Sequence, residues 1–314
     1  MDQIPLNKMK TAILDLGTNT FNLLVAEHIN GSVELIHREK IAVKLGEKGF
    51  QKNMLMPEAM DRALSGIAML LESAKAAGVE KISAFATSAV RNAQNRNEFL
   101  SEVKEKFGIT IDVISGIEEA KFIYSGVKHS GALDSEKTLI MDIGGGSTEF
   151  IIADCDEAYW LKSYDIGAAR LKEMFDPENP IKPNTQDKIS KYISEEFEEL
   201  KRKLKEFKVT KIVGSSGSFD SIVDMIAASK RQPYPSEKVT NEIAPEELNE
   251  IIEEMKGSTL EQRQNRDGLI SMRVDFIVIS CMLIETVLSL CPFKEIKQCS
   301  YSLKEGVLFN QIKK

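Results

Sequence analysis

The sequence predicts an α/β protein made of two domains of related topology, on three observations. The chain has 314 residues, more than a single hydrophobic core usually organises. Strand-like and helix-like apolar patterns alternate along it in two successive rounds. Each round opens with an apolar strand that ends in aspartate, a polar turn with glycine, and a second apolar strand. These openings read ILDLGTNTFNLLVA at 13–26 and IMDIGGGSTEFIIA at 140–153.

The first domain is expected to span residues 1–130. Its elements in chain order are strands at 12–15, 21–27 and about 33–43, a helix from 57, a strand at 81–87, a helix from 88 to 107, a strand at 109–114 and a helix at 116–128. The long helix has Pro57 near its first position and Gly78 just past its end, as helix termini often do.

The second domain is expected at 131–301, after a polar linker at 129–137. Its elements in chain order are strands at 138–143 and 149–154, further β structure at 158–166, helices at 168–175 and 185–207, a strand at 211–213, helices at 218–228, 245–255 and 274–290, and a strand at 295–300. A terminal helix at about 302–314 is expected to pack back on the first domain.

Composition and charge exclude several classes of function. The apolar content of 42% and the charged content of 28% are ordinary for a soluble globular protein. The net charge of −7 disfavours non-specific binding to DNA or to membranes, so neither is expected as a partner. Four cysteines without a Cys-x-x-Cys pair and three scattered histidines indicate reduced thiols and no zinc centre. A polar start without a signal-like apolar region predicts a cytoplasmic protein.

The run Gly144-Gly145-Gly146-Ser147-Thr148 has the composition of a phosphate-binding turn. Without Cβ atoms the backbone can approach an anion closely and direct several N–H groups at it. A plain hairpin turn does not need three glycines, which lose much conformational entropy on folding. The matching turn Gly17-Thr18-Asn19 has a single glycine, and for it a ligand-free turn and a phosphate site both remain open. Two such turns facing each other would hold successive phosphates of a chain.

Three acidic residues flank the two turns, Asp142 and Glu149 on the second and Asp15 on the first. Carboxylates beside phosphates need a cation between them, because like charges repel. Mg²⁺ suits such a site, since it binds one or two carboxylates and completes its coordination with water and phosphate oxygens. The alternative is that the aspartates cap the amides of their own turns. We expect Mg²⁺ at Asp142 and Glu149, and both interpretations stand for Asp15.

Two helix starts supply further candidates. Thr87 and Ser88 lie at a predicted helix start and Arg91 lies one turn further on. The free N–H groups of the helix start and the guanidinium would then lie together and could bind phosphate. The same pattern also fits a capped helix with an arginine on the surface. Glu118 and Glu119 lie in the first turn of the helix from 116, where acidic residues commonly only complement the helix dipole. One of them could instead take a proton from an attacking water. The residues alone favour the dipole role for the glutamates and leave the arginine open.

Five motifs together resemble one known family. DLGTNTFNLL, ATSAVRNA, ISGIEEA, DIGGGSTE and IGAARL, in that order, are similar to segments of the exopolyphosphatase / guanosine pentaphosphate phosphohydrolase family. The match runs from about Thr11 to Arg170 and continues weakly through VGSSGS at 213–218, Arg273 and SLKEGV at 302–307. The resemblance implies two ribonuclease-H-like domains of the actin-like ATPase superfamily, with a cleft between them that binds phosphates.

The resemblance also implies roles for individual residues. Glu119 would be the general base that activates water, Arg91 a phosphate-binding arginine of the catalytic centre, and Asp142 and Glu149 the residues that position Mg²⁺. The phosphate-binding residues would be Asp15, Gly17, Thr18, Asn19, Gly144, Gly145, Gly146, Ser147 and Thr148. The implied reaction releases the terminal phosphate from inorganic polyphosphate or from guanosine pentaphosphate.

Three departures from the family pattern qualify this expectation. The segment 273–280 lacks the glycine that the family usually has after its arginine and aspartate, Lys304 stands where arginine is usual, and the extra C-terminal domains of longer members do not follow. The last departure argues against processive action on long polyphosphate. The rival functions are an ATP-using kinase or ATPase of the same superfamily, with 213–218 as the candidate adenosine site, and a non-catalytic sensor of alarmone nucleotides. The family leaves a homodimer open.

Overall fold

The computed structural model describes residues 8–29, 32–235 and 238–312. The chain divides into two compact units, Met1–Ser115 and Gly116–Lys314. This division falls one helix earlier than the expected domain boundary at residue 130. The first seven residues of the polar start and the last two of the predicted terminal helix lie outside the described residues.

Unit 1 contains a five-stranded sheet with the strand order β3-β2-β1-β4-β5. Its elements in chain order are β1 (Lys8–Leu16), β2 (Thr20–Ile29), β3 (Ser32–Ala42), α1 (Pro57–Ala76), β4 (Lys81–Ala86), α2 (Ser88–Asn92), α3 (Arg96–Phe107) and β5 (Ile111–Val113). The first three strands form an antiparallel meander, and β4 and β5 extend the sheet in parallel from β1. In α1, Ala63, Ile67, Leu70 and Ala74 recur every three or four residues and are buried in the core of this unit.

The predicted single helix from 88 to 107 is wrong, because the chain breaks between α2 and α3. Ala93 adopts an extended backbone, which ends α2. The side chain of Asn95 then pairs with the main chain of Leu55, accepting from its N–H at 2.8 Å and donating to its carbonyl at 2.9 Å. This long-range pairing holds the break, and a local sequence pattern does not reveal it.

Unit 2 contains a six-stranded sheet with the order β10-β11-β9-β6-β7-β8. Its elements in chain order are α4 (Gly116–His129), β6 (Thr138–Ile143), β7 (Thr148–Ala153), β8 (Ala158–Tyr164), α5 (Ala168–Phe175), α6 (Pro183–Glu196), α7 (Glu198–Phe207), β9 (Lys211–Ser215), α8 (Gly217–Ser229), β10 (Thr240–Glu242), α9 (Pro245–Gly257), α10 (Leu260–Gln264), α11 (Ile277–Leu290), β11 (Glu295–Cys299) and α12 (Leu303–Ile312). The order β8-β7-β6-β9-β11 repeats β3-β2-β1-β4-β5, with the same antiparallel meander followed by parallel strands. The internal duplication seen in the sequence is therefore a duplication of topology.

The predicted helix 185–207 is also divided, into α6 and α7, at Phe197. This side chain is fully buried, and its ring lies edge-on to those of Phe150 and Tyr164. Phe197 has φ −92° and ψ 14°, outside the helical range, which separates α6 from α7. β10 and α10 were not predicted, because both are short and polar.

The terminal helix α12 packs closely against α4. A Cβ at Gly306 would lie 1.7 Å from the carbonyl oxygen of Phe122, and a Cβ at Gly126 would lie 2.3 Å from that of Ser302. Two glycines thus allow backbone-to-backbone contact between the helices. The sequence placed α4 in the first domain and expected α12 to pack there. The compact division instead groups α4 and α12 together in unit 2.

The apolar segment at 276–290 forms α11, whose side chains are buried almost all round, as expected for a core helix. Across the described ranges, none of the helices combines the length and the apolar character that crossing a membrane requires.

Candidate active site

The two glycine-containing turns share one construction. Gly144 N–H donates to the carbonyl of Ser147 at 2.9 Å, and Gly17 N–H donates to that of Thr20 at 3.1 Å. A Cβ at Gly144 would lie 2.9 Å from the Ser147 oxygen, and a Cβ at Gly17 would lie 2.8 Å from the Thr20 oxygen. Both turns therefore need glycine at their first position, and Gly17 matches Gly144 when the two opening motifs at 13–26 and 140–153 are compared.

A second glycine brings the segment after β8 directly onto the second turn. A Cβ at Gly167 would lie 2.4 Å from the carbonyl carbon and oxygen of Gly145. Beside this contact, the hydroxyl of Thr148 donates to the carbonyl of Ile166. The IGAARL motif is therefore part of the site, because its residues contact the second turn and fix its position.

Asp142, near the end of β6, is held by two hydroxyl groups from distant parts of the chain. Its Oδ2 accepts from Ser215 Oγ at 2.9 Å and from Ser302 Oγ at 2.5 Å. The carboxyl is buried, which raises its pKa, while the two serines and the nearby charge of Lys304 oppose this rise. Asp142 is thus anchored by hydroxyls from other elements, not by amides of its own turn as the capping alternative required. Ser215, Ser302 and Lys304 lie in segments that resemble the family only weakly, and the sequence did not connect them with Asp142.

Glu149 lies directly opposite Asp142 on the neighbouring strand. Its side chain is 1% exposed and accepts a hydrogen bond from Ser163 Oγ at 2.7 Å. The pKa of Glu149 is raised well above 4.5, first by loss of hydration and then by the negative charges of Glu119 and Asp142. Two acidic side chains are therefore held side by side in a site that disfavours their charge.

Glu119 joins this group from the first turn of α4. It is buried, whereas its neighbour Glu118 is exposed. A glutamate that only complements the helix dipole has no need of burial, so the two glutamates differ in a way that the sequence did not show. Unit 2 thus brings together Glu119, Asp142, Glu149 and the three-glycine turn.

The three acids lie near one another without forming a compact chelating cluster. In the described part of the chain, Glu119, Asp142 and Glu149 are not a group whose oxygens all lie within 4.8 Å of one another. Mg²⁺ does not need such a cluster, because it takes few carboxylates and fills its remaining positions with water and phosphate oxygens. Serine hydroxyls donate to one oxygen of Asp142 and to one oxygen of Glu149, which fixes the orientation of both carboxylates. These two carboxylates would therefore bind the ion.

A compact group does occur elsewhere, at Asp154, Cys155 and Asp156. The carboxylate of Asp154 accepts from the N–H groups of Asp156 and Glu157 and from the hydroxyl of Tyr159. These bonds lower the pKa of Asp154 and account for the cluster as a turn between β7 and β8.

Unit 1 contains the other predicted site residues. Asp15 Oδ2 accepts from Asn22 Nδ2 at 3.0 Å, across the strand pair. Arg91, in α2, donates from Nη1 to the carbonyl of Ile114 at 3.2 Å. Thr87 N–H donates to the carbonyl of Leu16, so α2 starts beside the end of β1, where the turn Gly17-Thr18-Asn19 begins.

Arg273 marks a further feature that the sequence left without a role. It lies in the short 3₁₀ turn Ser271–Arg273, and a Cβ at Gly217 would meet its Nη2 at 2.1 Å. Burial lowers the pKa of Arg273, against the charges of Asp220 and Asp142. Ser216, the residue before Gly217, has φ 73° and ψ 173°, a backbone region almost confined to glycine. The strained VGSSGS loop and the guanidinium therefore form one packed unit at the start of α8.

Comparison with known proteins assigns the chain to a family. A profile of the Ppx/GppA phosphatase family matches residues 24–314. The chain belongs to this family. A provisionally named exopolyphosphatase of Haemophilus influenzae is 30% identical over 304 residues, covering 97% of this chain and 92% of that protein. A guanosine-5'-triphosphate,3'-diphosphate pyrophosphatase of Photobacterium profundum is 31% identical over 228 residues, and the matched part is 46% of its length.

Solved structures of Ppx/GppA proteins share the fold. An exopolyphosphatase from Cytophaga hutchinsonii superposes with a TM-score of 0.94 at 32% identity, covering 97% of this chain and 98% of that one. A PPX-GPPA enzyme from Aquifex aeolicus, at 24% identity and a TM-score of 0.77, agrees at the level of the fold. The predicted family, fold class and enzyme class, a hydrolase of phosphoanhydride bonds, are thereby confirmed.

Proposed function

We propose that this Ppx/GppA family member is a Mg²⁺-dependent hydrolase that releases the terminal phosphate of inorganic polyphosphate, of guanosine pentaphosphate, or of both. The proposal rests on the burial of Glu119, Asp142 and Glu149 beside a turn of three glycines. Buried acids at close quarters are unfavourable unless a cation balances them. A site that takes up a cation together with a phosphate chain accounts for this arrangement, and the names of the relatives agree with it.

Glu119 is proposed as the general base. Water attacks the terminal phosphorus in line with the bridging oxygen, the new P–O bond forms as the bridging P–O bond breaks, and Glu119 takes the proton of the water. The leaving group is the shortened polyphosphate or, from guanosine pentaphosphate, the nucleotide with one phosphate fewer. Phosphoryl transfer of this kind depends chiefly on positioning and on charge stabilisation.

Charge stabilisation is assigned to the backbone and to the ion. In unit 2, the amides of the turn Gly144–Thr148 are proposed to bind phosphate oxygens. Mg²⁺, when bound by Asp142 and Glu149, would neutralise charge on non-bridging oxygens. In unit 1, Arg91 and the turn after Asp15 are proposed as further phosphate-binding groups, supported by their common place at the end of β1.

The test is release of free phosphate, with Mg²⁺, from short polyphosphate, long polyphosphate, guanosine pentaphosphate and ATP. Wild type is compared with Glu119→Gln and with Glu118→Gln, an exposed neighbour on the same helical turn. We expect release from polyphosphate or guanosine pentaphosphate. In Glu119→Gln, kcat should fall about 10²- to 10⁴-fold, the usual contribution of a general base, while Glu118→Gln keeps nearly full activity.

The other outcomes favour the rival functions. Release from ATP alone would favour an ATPase or kinase, and binding of nucleotides without any release would favour a sensor. Near wild-type turnover in Glu119→Gln would refute the assigned base.

A further inference from the structure

The three carbonyl groups of the glycine run are all hydrogen-bonded to the segment that follows β8. The donors lie at the start of α5 and include one side chain. The bonds are Ala168 N–H to Gly144 O at 3.0 Å, Ala169 N–H and Arg170 N–H to Gly145 O at 2.9 and 3.0 Å, and Arg170 Nε to Gly146 O at 2.8 Å. The start of α5 therefore fixes the orientation of three successive peptide groups.

This anchoring determines where the N–H groups of the turn point. In a planar trans peptide, a carbonyl and the N–H of the next residue point in opposite directions. Carbonyls turned toward α5 therefore direct the amides of Gly145, Gly146 and Ser147 to the opposite side of the turn. Throughout the described ranges, these three amides donate to no backbone carbonyl. Successive N–H groups on one side form a concavity that binds anions.

Unit 1 has a related arrangement, in which main-chain donors hold two successive carbonyls of the turn. There the segment after β3 takes the place of the segment after β8. The bonds are Gly46 N–H to Thr18 O at 3.1 Å, and Val43 N–H and Lys44 N–H to Asn19 O, both at 2.9 Å. In the internal alignment Asn19 corresponds to Gly146, so Arg170 Nε stands where backbone amides act in unit 1. In both units the segment that follows the third strand of the meander therefore holds carbonyls of the turn, two in unit 1 and three in unit 2.

We propose that Arg170 is a positioning residue: by holding the Gly146 carbonyl, it presents the Ser147 amide to the phosphate. Its side chain is 13% exposed and lies 3.6 Å from the carboxylate of Asp165, which is largely exposed. The guanidinium therefore acts from the α5 side of the turn, opposite the side toward which the amides point. The inference rests on the proposed phosphate chemistry of this site, and it concerns how the turn is prepared before phosphate binds.

The experiment is NMR spectroscopy of the full chain with ¹⁵N-labelled glycine and serine, without and with inorganic pyrophosphate and Mg²⁺. The variants are Arg170→Gln, Arg170→Lys and Asp165→Asn. Arg266→Gln serves as the matched control, because Arg266 is 16% exposed, is paired with Glu254 and also donates to a main-chain carbonyl. Phosphate release is measured in parallel on every variant.

We expect pyrophosphate to shift the wild-type amide signals of Gly145, Gly146 and Ser147. In Arg170→Gln the Ser147 signal should already be displaced before pyrophosphate is added, with kcat/KM reduced about 10- to 100-fold, less than the 10²- to 10³-fold loss on removing an oxyanion donor itself. In Arg170→Lys, the ammonium group can still donate to the Gly146 carbonyl, so both the Ser147 signal and kcat/KM should be closer to their wild-type values. Asp165→Asn and Arg266→Gln should behave as wild type.

Two outcomes would overturn the inference. One is an unchanged Ser147 signal in phosphate-free Arg170→Gln with weaker pyrophosphate binding, which would make Arg170 a direct ligand instead. Another is that the wild-type protein releases phosphate while pyrophosphate shifts none of the three amide signals. In that case the proposed function would still hold. Pyrophosphate-induced shifts at the three amides with no phosphate release from any substrate would do the reverse: they would overturn the proposed function and support the amide arrangement.

Discussion

Neutralising Glu149 should stabilise the folded protein while it removes activity. The side chain is 1% exposed, and its pKa is raised by burial and then by the charges of Glu119 and Asp142. Glutamine has nearly the same volume and keeps an oxygen that can accept from Ser163. The substitution Glu149→Gln thus removes the unfavourable charge without creating a cavity. A gain of about 0.5–2 kcal/mol is typical of a successful stabilising change, which corresponds to roughly 1–8 °C in Tm for a unit of this size.

The sign of the pH dependence follows from the direction of the shift. Because the folded pKa of Glu149 lies above 4.5, the contribution of this group to stability is fully present below about pH 4.5 and is lost as the pH rises through the folded pKa. The slope from this group is at most about 1.4 kcal/mol per pH unit. Glutamine does not titrate, so the Tm difference between variant and wild type should be near zero at acidic pH and positive at neutral pH.

The assay is thermal unfolding of both proteins from pH 4 to pH 8 in the presence of EDTA. Glu295→Gln is the control, because the neighbouring Lys297 and Lys211 lower the pKa of that carboxyl. This substitution should leave Tm unchanged or slightly lower it at neutral pH, since exposed ion pairs contribute about 0–1 kcal/mol. A Glu149→Gln variant that is less stable than wild type at neutral pH, or a difference independent of pH, would refute the reasoning.

Three further outcomes are expected. The Ser302 hydroxyl lowers the pKa of Asp142, so Ser302→Ala should raise that pKa further. The acidic limb of the profile of kcat/KM against pH should then move to higher pH. An unmoved limb would show that this hydroxyl does not affect the ionisation of the carboxylate. Gly306→Ala places a Cβ 1.7 Å from the Phe122 oxygen and should lower the free energy of unfolding, measured in urea, by about 3 kcal/mol or more. Gly257→Ala is the control, because the space around this glycine is open, and it should have little effect. Equal effects of the two substitutions would contradict the close contact between α4 and α12. EDTA should abolish phosphate release and added Mg²⁺ should restore it, with an increase in stability of about 2.7 kcal/mol at 100 times the Kd; activity that survives chelation would argue against the ion.

Local patterns in the sequence were enough for the architecture. The repeated strand–Asp–turn–strand motif predicted two related α/β units, and both sheets have the same strand order around it. The turns at Gly17 and Gly144 could be placed from the sequence because a tight hairpin turn depends on a few adjacent residues, and the structure shows that a Cβ would collide at both glycines. The breaks at Asn95 and Phe197 could not, since each depends on a partner far along the chain.

The environment of the site was decided by the tertiary structure. Sequence motifs pointed to Asp142 and Glu149, but the hydroxyls that hold Asp142 come from Ser215 and Ser302, which are 73 and 160 residues away. Glu118 and Glu119 are adjacent and chemically identical, and only the packing of α4 buries one and exposes the other. Residue type and spacing determine which groups are available, whereas burial and hydrogen bonding between distant segments determine which of them share a site and how strongly that site resists their charge.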